Sequence, residues 1–198
     1  MGHASENTTF VSLRIAILTV SDTRGLEQDG SGDLLRLSVT KAGHELVVRS
    51  IVPDDIYRLR ATVSQWVAQP DIQVILVNGG TGFTVRDTTP EALMPLFDRV
   101  IDGYGELFRH LSYESIGAST IQSRAVAGVA NRTLIFSMPG SPKACATAWD
   151  GILAGQLDAR TRPCNFVAMV IPDHDSCESR QVHQEQLVGD VANQEASP

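Results

Sequence analysis

Between Val74 and Glu91 the chain reads VILVNGGTGFTVRDTTPE, a stretch that limits the possible folds more than any other. The run Val74-Ile75-Leu76-Val77 is apolar, largely β-branched, and stops at Asn78. Apolar residues without alternation mark a strand covered on both faces, as in a parallel sheet flanked by helices. In Gly79-Gly80-Thr81-Gly82 the backbone can approach a ligand without side-chain obstruction, and Thr81 adds a hydroxyl. Arg86-Asp87 is a charged pair, and Thr88-Thr89-Pro90-Glu91 has the cap, first-turn proline and acid of a helix start. Strand, glycine loop and helix in that order belong to α/β proteins that hold anionic ligands at the carboxyl ends of their strands. A tight structural turn is the alternative for the loop alone. It is neither a Walker A nor a GxGxxG sequence.

The rest of the chain supplies neighbours for that strand. Ile15–Val20 is a second continuous apolar run, closed by Ser21-Asp22-Thr23-Arg24-Gly25. Leu34, Leu35, Leu37, Val39 and Ala42 recur at helical spacing until Gly43. Glu45–Val52 reads as a strand closed by Pro53-Asp54-Asp55, and Ile56–Ala68 as a helix with Ile56, Leu59, Val63 and Val67 on one stripe. Beyond the glycine loop, helices are expected over Glu91–Phe97, Glu106–Tyr113 and Ser119–Val129, then a turn at Asn131-Arg132. Thr133–Met138 is a fourth buried strand, ending at Pro139-Gly140-Ser141-Pro142-Lys143 before an Ala-rich helix over Ala144–Leu157. The pattern predicts an α/β fold with a mainly parallel central sheet. One domain over 13–171 is expected between a flexible segment, 1–12, and a polar mobile tail, 172–198.

Composition narrows the class of ligand. A formal net charge of −7 disfavours nucleic acid and anionic membranes as partners, while leaving room for a local cationic pocket. No stretch has the ~18 apolar residues of a membrane span, and the N-terminus has no signal-peptide pattern. Cys145, Cys164 and Cys177 form no metal-ligand spacing and cannot all pair, so reduced thiols in a cytoplasmic protein are expected. His3, His44, His174 and His183 are scattered over turns and ends, which argues against a catalytic histidine.

Four polar loops at strand ends could share one crevice: Ser21-Asp22, Pro53-Asp54-Asp55, Gly79–Gly82 with Asp87, and Pro139–Lys143. Asp54 and Asp87 beside a phosphate nest would suit Mg²⁺, which takes one or two carboxylates with phosphate oxygens and water. Helix caps or local ion pairs are the alternatives for both, and Asp55 leaves open which acid of its pair points inward. Ser123-Arg124 and Ser141 with Lys143 could bind a further phosphate, or lie solvated on the surface. Glu106 could hook a heterocycle or serve as a first-turn helix acid.

Taken jointly these motifs resemble the MoaB/MogA family of molybdopterin-binding proteins over about residues 13–166. They are Thr19–Asp22, Val52-Pro53-Asp54, Gly79–Gly82, Arg86–Glu91, Gly103–Glu106, Ser123-Arg124 and Met138–Lys143, with residues 157–166 resembling the MoaB branch. The resemblance implies a three-layer α/β/α fold assembled as a homo-trimer or homo-hexamer. It implies adenylylation of molybdopterin with Mg²⁺ and ATP. Asp54 and Asp87 match the family's catalytic, metal-binding aspartates, and the Gly79–Gly82 and Ser141 loops match its pterin-phosphate site. A non-catalytic carrier of the pterin is the alternative.

Overall fold

The structure, a computed structural model, describes residues 9–171. In chain order the strands are β1 (Arg14–Val20), β2 (Glu45–Val52), β3 (Val74–Asn78), β4 (Arg99–Val100), β5 (Ala127–Ala130) and β6 (Thr133–Met138). The helices are α1 (Gly30–Lys41), α2 (Ile56–Val67), α3 (Thr89–Leu93), α4 (Asp102–Ile116) and α5 (Pro142–Ala148). A π-helical turn over Trp149–Leu153 carries α5 into α6 (Ala154–Gln156), and α7 (Val167–Val170) follows.

The four strands expected from the sequence lie side by side and parallel, in the order β2-β1-β3-β6, with β2 half-buried at the edge. Alternate side chains of each strand enter two different cores. Ile15, Ile17, Val74, Leu76, Leu134 and Phe136 pack with α1, α4 and α5 residues such as Leu35, Val39, Phe108 and Cys145. Ala16, Leu18, Ile75, Val77 and Ile135 face the other way, onto Leu59, Val63 and Trp66 of α2 and Leu93 of α3. The result is a three-layer α/β/α sandwich, as the apolar runs require. Truncating one of these fully buried leucines to alanine costs about 2–5 kcal/mol.

The sheet has six strands rather than four, and the expected helix over 119–129 is absent. A 3₁₀ turn covers Gly117–Gln122, and Ala127–Ala130 forms β5, antiparallel to β6. Asn131 and Arg132 both have left-handed φ, 45° and 69°, which makes a two-residue hairpin turn closed by the Ala130–Thr133 pair. The alanines that read as helix formers are strand residues because this hairpin presents them to β6, where local propensity loses to burial. β4 then adds antiparallel to β5 at the edge.

The other boundaries shift modestly. α4 extends to both sides of its expected span, and the Glu91–Phe97 helix divides into α3 and a 3₁₀ turn at Met94–Leu96. Of the two ends expected to be mobile, residues 1–8 and 172–198 lie outside the described residues, with His3, His174, Cys177 and His183. Residues 9–12 lie against the domain: the Phe10 ring is 5.1 Å from that of His44. Ser12 Oγ donates to the Gly43 carbonyl at 2.9 Å.

Candidate functional site

Strand order reverses direction at β1, with β2 on one side and β3 on the other. The carboxyl ends of β1, β3 and β6 therefore open outward from a topological switch point, where open α/β sheets place their ligands. An open cleft of about 460 Å³ lies there. It is lined by Ser21, Thr23, Arg24, Gly79, Gly80, Thr81, Gly82, Asp87, Pro139, Gly140 and Ser141. Three of the four loops singled out in the sequence thus share one surface, and the fourth borders it through Asp54.

The glycines are demanded by geometry. Gly79 has φ 105°, and a Cβ there would sit 2.3 Å from the Val20 carbonyl oxygen. Its N–H donates to Met138 O at 3.0 Å, drawing β6 against β3. Gly80 has φ 62°. Among the described residues the N–H groups of Gly80 and Thr81 meet no acceptor. Two unbonded amides on a glycine turn form an anion-binding concavity.

Both candidate aspartates flank that turn. A Cβ on Gly80 would lie 2.6 Å from Asp54 Oδ2, and one on Gly82 would lie 2.7 Å from Asp87 Oδ2. Thr88 donates to Asp54 Oδ1 from its N–H at 3.0 Å and its hydroxyl at 2.6 Å, which leaves Oδ2 beside Gly80. Thr84 grips Asp87 Oδ2 in the same way, at 2.9 and 2.6 Å. Burial alone would raise the Asp87 pKa. The Thr84 hydroxyl and N–H, the Gly82 N–H and the Arg124 charge outweigh it and hold the carboxyl below its ordinary value. Asp55 turns away and caps α2, accepting from Tyr57 N and Arg58 N. Asp54 is the inward acid.

The threonines of TTPE do not cap α3 with their side chains. The Thr88 hydroxyl goes to Asp54, and that of Thr89 donates to Gly79 O at 2.9 Å. The charged residues nearby are equally committed. Arg86 pairs with Asp22, whose Oδ1 accepts from Asp54 N at 3.1 Å. Arg124 donates to Gly82 O and Asp87 O, both at 2.8 Å, pairs with Glu91, and lies over the Phe83 ring.

A buried polar network underlies the loop. Asn78 donates to Thr19 Oγ1 at 2.9 Å and accepts from Ser31 Oγ at 2.8 Å. Thr19, the Gly32 N–H and Arg49 donate to the fully buried Asp29 carboxylate, and the single Ser31 hydroxyl hydrogen is shared between Asn78 Oδ1 and Asp29 Oδ1, the latter at 3.0 Å. Desolvation would raise the Asp29 pKa, and these four donors more than reverse it. Asp29 is thus an ionised anchor that ties β1, β2, β3 and α1 together below the cleft.

A smaller pocket of about 140 Å³ adjoins the cleft at Pro139 and Ser141, between α4 and the start of α5. Ser112, Ser115, Ser123 and Thr147 give it hydroxyls, Phe108 an apolar wall and Lys143 a charge. Ser123 Oγ is buried without a partner among the described residues, and Ser141 also caps α5 by accepting from Ala144 N. Glu106 stands exposed on α4, outside the lining of both cavities.

The donors fit a hard cation in kind, since Asp54 and Asp87 offer carboxylate oxygens. Among the described residues no group of three or more His, Cys, Asp or Glu converges, so a cation would complete its shell with phosphate and water. No helix among the described residues is long and apolar enough to cross a membrane.

Residues 16–159 match the family described as "Probable molybdopterin binding domain". Over 160 residues the chain is 62% identical to molybdenum cofactor biosynthesis protein B of Escherichia coli K12, covering 81% of this chain and 94% of that one. Its structure is similar to a crystal structure of a molybdenum cofactor biosynthesis protein B, with TM-score 0.72 and 42% identity over 74% of this chain and 92% of that one. The tungsten cofactor synthesizing protein MoaB of Pyrococcus furiosus gives TM-score 0.67 and 35% identity, covering 72% and 91%.

Proposed function

From the premise that this chain belongs to the molybdopterin-binding family of molybdenum cofactor biosynthesis proteins, on its MoaB branch, we propose that it adenylylates molybdopterin. An oxygen of the pterin's terminal phosphate attacks the α-phosphorus of ATP. The bond to the β-phosphate oxygen breaks, and adenylyl-molybdopterin and pyrophosphate leave. The observation that carries this reading is the pair of unbonded amides, Gly80 and Thr81, set between the Asp54 and Asp87 carboxylates. That is a place for phosphate oxygens and for the charge that must accompany them.

Catalysis by such a site is mainly alignment. Gly80 and Thr81 N–H groups would orient phosphate oxygens, and Thr88 and Thr84 fix the direction of the two carboxylates. Asp54 and Asp87 would hold Mg²⁺, which neutralises phosphate charge when bound. The adjoining pocket is suited to a heterocycle with polar edges, because Ser123 Oγ, among the described residues, has no hydrogen-bond partner. A non-catalytic carrier is the second reading. It draws on the unbonded Gly80 and Thr81 amides, which suffice to hold a phosphate without any turnover.

The protein with molybdopterin, ATP and Mg²⁺ should yield adenylylated pterin, and Asp54→Asn and Asp87→Asn should not. Pterin binding without any product from the intact protein would sink the catalytic reading in favour of the carrier. We further propose a homo-trimer or homo-hexamer in the cytoplasm. Val100 and Ile121, both exposed, line one hollow beside the β4 edge, where a second copy could cover them. A sedimentation velocity profile of monomer alone would rule this out.

A further inference from the structure

A polyphosphate entering this cleft meets acids first. Asp54 and Asp87 border the glycine loop, and Asp22 lies against Asp54, in a chain whose net charge is −7. The cations that the loops carry are already engaged: Arg86 with Asp22, and Arg124 with loop carbonyls and Glu91. Lys143 faces the adjoining pocket. Among the described residues lining the cleft, Arg24 is the sole cation.

Arg24 is placed by its own turn and by the opposite wall. Its N–H donates to Ser21 Oγ at 3.1 Å, closing the turn after β1. Its Nη1 donates across the cleft to Gly140 O at 3.0 Å. Gly140 in turn lies against Gly79, since a Cβ on it would meet Gly79 Cα at 3.0 Å. The guanidinium is therefore pinned at one corner beside the unbonded amides. Among the described residues it makes no ion pair, and Nε and Nη2 meet no acceptor. A guanidinium fork with open donors is matched to two oxygens of one phosphate.

We propose that Arg24 is the phosphate-reading residue of the cleft, donating from its open N–H groups to non-bridging phosphate oxygens of the bound ligand. This rests on the reading above that the cleft takes phosphorylated ligands. The nucleotide's phosphate chain and the pterin's phosphate monoester share that chemistry.

Calorimetric titration of the full chain with inorganic tripolyphosphate, ATP and molybdopterin tests it, comparing wild type, Arg24→Gln and Arg24→Lys. Removing one charge-assisted contact should weaken phosphate binding about 10- to 100-fold in Arg24→Gln. Arg24→Lys should recover part of the loss, because charge returns without the fork. A loss confined to ATP and tripolyphosphate assigns Arg24 to the nucleotide, and one confined to molybdopterin assigns it to the pterin phosphate. Equal binding by wild type and Arg24→Gln overturns the proposal and leaves the cleft reading standing. No binding of any probe by wild type overturns both. A second measurement needs no variant: the Arg24 Nε–H resonance should move at saturation with a probe that binds, and an unmoved resonance overturns the proposal.

Discussion

Arg124 donates from Nη2 to the carbonyl of Asp87 at 2.8 Å while its Nε holds the carbonyl of Gly82 at the same distance. One guanidinium therefore spans both ends of the loop that carries a candidate metal-binding acid. Arg124→Ala should free that loop. Since hydrogen bonds to charged groups contribute about 1.5–3 kcal/mol, a modest fall in melting temperature is expected. In the proposed adenylyl transfer product formation should fall about tenfold, with cleavage by added protease appearing within residues 82–87. A resistant loop with undiminished turnover would refute the clamp.

Asp29 and Arg49 form the ion pair beneath the cleft, 2.9 Å apart and with the aspartate fully buried. Asp29→Asn leaves Arg49 its other partner, Asp33, at 2.6 Å. The loss should be about 3 kcal/mol, toward the low end for breaking a buried pair. The Asp29 pKa is depressed in the folded state, so its contribution is present above the unfolded value of 3.8 and is lost as pH falls through the folded one. Urea denaturation at pH 7 and pH 3 checks both statements: the gap between wild type and Asp29→Asn should shrink at the lower pH.

Gly79→Ala must place a methyl 2.3 Å from Val20 O at φ 105°. Left-handed backbone costs an L-residue roughly 1–2 kcal/mol before any clash, so this variant should lose 3 kcal/mol or more by rough addition of overpacking. Gly103→Ala is the control. It lies in α4 with nothing within 4 Å of its Cβ position, and should be neutral or stabilising by up to about 1 kcal/mol. Thermal melts of the two variants decide the matter.

His44 should give the domain a mild acid sensitivity. Its Nδ1 accepts from Leu13 N at 3.2 Å, and Phe10 and Trp149 flank the ring. Burial lowers its pKa below the ordinary 6.5, with the charge of Asp158 acting the other way. The unfolded chain therefore takes up a proton near pH 6.5 that the folded one resists. Stability should be full above that pH and fall as pH drops through the folded pKa. His44→Gln should flatten the profile between pH 7 and pH 5. An unchanged slope would show that other groups set it.

The parts legible in the sequence were those coded by neighbours along the chain. Four parallel strands, the glycine turn and the acids near it as candidates all follow from contiguous patterns. β5 lies within Ser119–Val129 and Ala130, where the alanines favour a helix locally, and its strand character comes from pairing with β6 through a two-residue turn. Arg24 read as one polar residue of a turn because its partner, Gly140, lies 116 positions away. Asp29 gave no sign of its network, which gathers Thr19, Ser31, Asn78 and Arg49 from four elements.

The sequence by itself determined the α/β class, the mainly parallel sheet and the glycine loop at the carboxyl end of β3, because hydrophobic period and glycine placement are local properties of the chain. Only the tertiary structure decided which of Asp54 and Asp55 faces the cleft, which threonines orient the acids, and that Arg24 is the cation left open beside the amides. Those outcomes depend on donors and acceptors brought together from distant segments. A residue's type states what it can bond, and the packing of the sheet states what it meets.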